Sequence, residues 1–174
     1  MTRVTVSILA LALFAAGCGS DSPSSPSQPN RFTFTADLRA SNEVPPIANA
    51  ESGGQGNATV TIDVTRDGSG NITAATATFF VNISGLPANT PIILSHIHQA
   101  VAGVNGGVVV NSGLSAASPV ALANGSGSFE RSGLTVSPVD IATQIIANPA
   151  GFYFNSHSAL NPGGVVRGHL VRVP

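Results

Sequence analysis

Phe32, Phe34, Ala36 and Leu38 alternate with Thr33, Thr35, Asp37 and Arg39, and this two-residue beat limits what the chain can become. Successive side chains on a strand point to opposite sheet faces, so the pattern predicts one buried and one polar face over residues 31–39. The same device recurs at Ala58, Val60, Ile62 and Val64, and at Ala75, Ala77, Phe79, Val81 and Ile83. A turn-forming run, Arg66-Asp-Gly-Ser-Gly-Asn71, lies between these two stretches and predicts a hairpin of residues 57–65 and 72–84. Further strands are expected at 92–98, 107–110, 126–134, 152–157 and 165–173, with glycine-containing turns at 105–107 and 161–164. One helix is expected. Ser137 is placed as its N-cap and Pro138 at its first position, with Ile141, Ala142, Ile145 and Ile146 as an apolar stripe ending before Pro149. The expected fold is all-β: a single β-sandwich or barrel of about seven to eight antiparallel strands, immunoglobulin-like topology being one candidate, with one short helix.

The first thirty residues follow different rules. Met1-Thr-Arg3 carries one positive charge, and the mostly apolar stretch 4–16 is long enough for a signal peptide but too short to span a membrane. Ala15-Ala16-Gly17-Cys18 follows and resembles the bacterial lipobox, with Ala15 where leucine is common. That resemblance implies cleavage after residue 17 and acylation of Cys18, the chain's only cysteine. Several acyl chains anchor a protein stably where one is marginal. Gly19 in place of aspartate implies sorting to the outer membrane, if the cell has one. The prolines, serines and absent apolar residues of 19–30 predict a disordered tether. The expected division is therefore a signal peptide at 1–17, a lipidated tether at 18–30 and one β domain at 31–174.

Charge excludes some partners. The chain has no lysine, and losing Arg3 with the signal peptide would leave six arginines against eight acids, a net charge of −2. Such a balance offers no footprint for nucleic acid. A single cysteine also excludes disulfides within the chain.

Four segments in order carry a family resemblance: Phe34-Thr-Ala-Asp-Leu38 leading to Asn42-Glu-Val-Pro-Pro46; Leu94-Ser-His-Ile-His98 with Ala102-Gly-Val-Asn-Gly-Gly-Val108; Phe152-Tyr-Phe-Asn-Ser-His157; and Asn161-Pro-Gly-Gly-Val-Val-Arg-Gly168. Together they resemble the CHRD domain, a module of chordin that also occurs in exported bacterial proteins. The resemblance implies a compact β domain in an extracytoplasmic setting, with no established activity for the bacterial members. His169 departs from it, standing where glutamine is common.

The residues with chemical potential are His96, His98, His157, Glu43, Asn155, Arg167 and His169. A His-x-His strand puts both imidazoles on one face, as it does Asn155 with His157 and Arg167 with His169. Neighbouring strands would bring several of these together. One outcome is a structural hydrogen-bond network with Arg167 paired to Glu43. The other is a copper or zinc site built from His96, His98 and His157 with help from Glu43 or His169. His-x-His also occurs among the copper ligands of copper–zinc superoxide dismutases, but their disulfide cysteines and bridging histidine have no counterpart here. No nucleophile elbow, HExxH helix or phosphate-binding loop is present, so the chain is not expected to be an enzyme. The first expectation is a membrane-anchored, extracytoplasmic, non-enzymatic domain that needs no cofactor. It would bind a protein or polysaccharide partner or support the cell envelope. A copper or zinc binding module is the alternative.

Overall fold

The computed structural model describes residues 28–174. The signal segment, Cys18 and the tether as far as residue 27 lie outside the described residues. Among the described residues, ten strands form one antiparallel sheet with a single α-helix. They are β1 (Arg31–Arg39), β2 (Gln55–Arg66), β3 (Ile72–Ser84), β4 (Thr90–Gln99), β5 (Gly107–Asn111), β6 (Val120–Leu122), β7 (Gly127–Thr135), β8 (Phe152–Ser158), β9 (Val166–His169) and β10 (Val171–Arg172), with α1 (Asp140–Ala147) between β7 and β8. Eight strands run in the order β5-β4-β8-β9-β1-β2-β3-β7, a nearly closed, barrel-like sheet; β6 adds to β4 and β10 to β1. Of the sandwich and barrel alternatives, the barrel-like form is the one adopted.

The alternation read from the sequence is the alternation of burial. Phe34, Leu38, Val60, Ile62, Phe79 and Val81 are fully buried, while their neighbours along each strand face outward. Phe79 and Phe154 meet edge to face with ring centroids 5.2 Å apart, joining the β2–β3 hairpin to β8 across the core.

Two expectations are corrected. The helix starts at Asp140, and Ser137 makes no capping bond, because the carbonyls of Pro138 and Val139 accept the first turn's amides at 3.1 Å. Pro138 therefore precedes the helix instead of opening it. The predicted strand 165–173 is divided into β9 and β10, since the Leu170 amide bonds to Phe152 O at 3.0 Å while Val171 and Arg172 pair with β1. Just before β1, Asn30 O accepts from the Val64 amide at 2.8 Å. The three-residue strand β6 escaped the sequence reading because so short a segment shows too little alternation.

β8 is buried on both faces along its whole length. Phe152 and Phe154 enter the apolar core, while Tyr153, Asn155 and His157 point the other way. The covering of that second face comes from three loops, at residues 40–54, 100–106 and 159–165. Asn105 Nδ2 donates to Val44 O at 2.9 Å, and Asn49 Nδ2 donates to Asn161 Oδ1 at 2.9 Å. Glu51 accepts from Ser158 Oγ and Asn161 Nδ2, each at 2.5 Å.

Candidate metal centre

Pairing of β4, β8 and β9 places the polar residues in rows across the sheet. His96 lies opposite Asn155, which lies opposite Arg167; His98 lies opposite Tyr153, which lies opposite His169. His157 stands two residues beyond Asn155, diagonal to His96. Directly opposed and diagonal neighbours on one sheet face are close enough for long side chains to meet. All three of His96, His98 and His157 are buried, and they offer nitrogens within 4.8 Å of one another.

Two of the rings are fixed by backbone carbonyls. His98 Nδ1 donates to Gly106 O at 3.0 Å, and His157 Nδ1 donates to Pro162 O at 2.9 Å. In the neutral ring each bond leaves Nε2 with a lone pair and no proton. His157 Nε2 lies 3.2 Å from His96 Nδ1, which donates to it. His98 Nε2 is buried and has no hydrogen-bond partner. A bare imidazole nitrogen in that position has given up its water without replacement. A metal-bound histidine characteristically donates its second nitrogen to a carbonyl or carboxylate, which sets the ring's tautomer and aim. His98 and His157 are both held in this way.

A metal about 2.0–2.1 Å from each of three nitrogens separates those nitrogens by roughly 3.3–3.6 Å. The 3.2 Å between His96 Nδ1 and His157 Nε2 is near that spacing once the proton on Nδ1 has moved to Nε2 of the same ring, and His98 offers a nitrogen within 4.8 Å of both. Among the described residues no carboxylate or thiolate joins the three rings as a fourth ligand.

Beside the histidines lies a charged support. Arg167 donates from Nε to Glu43 Oε2 at 2.7 Å, and from Nη2 to Asn105 Oδ1 at 2.6 Å. Both ends of the ion pair are buried, with side-chain exposures of 5% and 3%. The guanidinium carbon also lies 4.6 Å from the centre of the Tyr153 ring. That ring stacks on His98 at 4.8 Å with planes only 3° apart. Tyr153 Oη accepts from the Gly106 amide at 3.2 Å, so one loop residue contacts both members of the stack. Gly164 closes the lid. Its φ is +137°, and a Cβ there would fall 2.6 Å from Asn155 Nδ2 and 2.7 Å from Glu43 Oε2.

The chain matches the CHRD domain family over residues 34–170, which spans every residue of this site. It belongs to that family. No curated protein and no solved structure matches it.

Within this CHRD domain, the sequence-predicted residues separate into three groups. His96, His98 and His157 converge. Arg167 and Glu43 form the expected ion pair, with Asn155 beside them, so Glu43 is committed to Arg167 and does not reach the rings as a ligand. His169 stands apart: its Nδ1 donates to Ala150 O at 3.1 Å, and Tyr153 lies between it and His98 in the sheet row. The sequence reading missed Tyr153, Asn105 and the carbonyls of Gly106 and Pro162. Tyr153 sits between Phe152 and Phe154 and reads as another core aromatic, and a backbone carbonyl leaves no residue-type signal.

All three rings are disfavoured as cations. Burial pulls His96 down to about 4, helped by His157 and His98. Burial also lowers His98 and His157, opposed by their carbonyl bonds and reinforced by Arg167. The unfolded chain therefore takes up protons that the folded chain refuses. Metal-free stability is expected to be full above the unfolded value of 6.5 and to fall as pH drops toward 4, by about 2 kcal/mol from His96. Urea denaturation at pH 7 and pH 4.5 checks this, and His96→Gln should flatten the difference.

Proposed function

We propose that this CHRD domain is an extracytoplasmic copper or zinc binding module, held at a membrane through lipid on Cys18. Three converging imidazoles carry this reading, two of them locked by carbonyls in the ligating tautomer and one leaving a bare, buried Nε2. Neutral imidazole suits both metals. Because the rings are neutral at pH 7, uptake need displace no net proton, and affinity should weaken only as the solution is acidified. The role is binding, not catalysis, in keeping with the absence of catalytic motifs. The lipobox-like segment and the polar run after it support the anchor.

Calorimetry tests this reading. The metal-stripped protein is expected to bind Cu(I), Cu(II) or Zn(II) one to one. His96→Gln/His98→Gln should abolish uptake while the far-ultraviolet circular dichroism of the sheet persists. Equal uptake by both proteins would refute the site.

A second reading, a surface for a protein or polysaccharide partner, draws on exposed apolar side chains. Val104 and Leu160 are 49% and 56% exposed, and they stand on the two loops that supply the Gly106 and Pro162 carbonyls. A partner seated there would cover the same end of the molecule.

A further inference from the structure

We infer that the three-histidine site discriminates by charge, holding Cu(I) in preference to Cu(II) and Zn(II). The inference rests on the metal-binding reading and names the ion. His96, His98 and His157 are 5%, 7% and 5% exposed, so a bound ion leaves most of its water behind. The cost of burying an ion grows with the square of its charge, and a protein offsets it with opposite charge and hydrogen bonds. No offset of that kind reaches the rings. The ligands are neutral, and among the described residues no carboxylate or thiolate stands with them. The carboxylate of the support, Glu43, is bound through Oε2 by Arg167, and its buried, unpartnered Oε1 is not among the atoms that converge with the rings. Of the Arg167–Glu43 pair it is the cationic half that stands toward the rings, since the guanidinium lies over Tyr153, whose other stacking partner is the ligand ring of His98.

A dication would therefore enter a buried site with neutral ligands, beside the cationic half of an ion pair. A monovalent ion meets a much smaller penalty. Three nitrogens without a fourth ligand also suffice for Cu(I), whereas Zn(II) sites are almost always four-coordinate, with water or a fourth residue completing the set. Zinc would have to draw that ligand in among side chains that are only 5–7% exposed.

The test uses the full chain carrying Cys18→Ser, because an unmodified thiol would bind Cu(I) on its own. Cu(I) affinity is measured anaerobically by competition with bicinchoninate, and Cu(II) and Zn(II) affinities by competition with chelators of known strength. Cu(I) is expected to bind at least about 100-fold more tightly than either dication. Glu43→Gln, which strips Arg167 of its counter-charge, should widen the gap between Cu(I) and Cu(II) by a further tenfold or so. If that variant fails to fold, the wild-type ratio decides alone. Cu(II) or Zn(II) binding as tightly as Cu(I) overturns the charge argument and leaves the metal site standing. Failure of all three ions to bind more tightly than to His96→Gln/His98→Gln removes both.

Discussion

Arg167→Met is expected to destabilise the domain by about 3–5 kcal/mol, far more than loss of the attraction between two charges would suggest. The substitution leaves the Glu43 carboxyl buried with nothing to meet it. Burial already raises that group's pKa, and Arg167 is what opposes the rise. Without the guanidinium nothing would oppose that rise, and Asn105 would lose its tie to the sheet. The pair's net worth is smaller. Glu43→Gln/Arg167→Met should therefore recover much of the loss, because it removes both charges together. Urea denaturation of the two variants separates these outcomes: a single variant within about 1 kcal/mol of wild type would mean that the carboxyl finds water when its partner is gone.

Phe154→Ala should cost a similar amount, about 3–5 kcal/mol, by a different route. Phe154 is fully buried, and its edge-to-face contact with Phe79 bridges opposite parts of the barrel. Truncation leaves a cavity that the surrounding strands can only partly close. Phe154→Leu should cost less than half as much. Since Phe154 points into the core and its neighbours Tyr153 and Asn155 point toward the histidines, the folded fraction of Phe154→Ala should bind metal within a few-fold of wild type. Calorimetry under stabilising conditions checks that separation, and a large loss of affinity would mean that the two faces of β8 are mechanically coupled.

Those two faces also explain what the sequence made legible. Strands β1, β2 and β3 each have one solvent-facing side, so threonine, aspartate and arginine alternate with apolar residues and the period is plain. The shared face of His96 and His98 follows from the same rule. Nothing local says that β4 lies beside β8, because 61 residues separate His96 from His157 and the pairing is decided by the whole barrel. β8 is harder still, since a strand buried on both faces loses its polar beat, and Phe152-Tyr-Phe154 reads as uniform core. The helix start was misplaced because Ser137-Pro138 has the composition of a cap, whereas the first turn is satisfied by backbone carbonyls. The loop carbonyls that aim His98 and His157 come from glycine- and proline-rich turns. Their residue types speak of chain reversal, and only the folded backbone reveals where the oxygens point.

The same separation has a consequence during synthesis. A chain made N-terminus first supplies His96 and His98 on β4 well before His157, which comes only with β8. Two imidazoles on one strand form a weak, open chelate that exchanges ions freely. Only the arrival of β8 adds the third ring, and its His157 is aimed by Pro162, still later in the chain. Under the proposed metal-binding reading, an ion retained by all three rings would certify that β8 and the loop after it have docked in register. A truncated or misregistered copy would go unloaded.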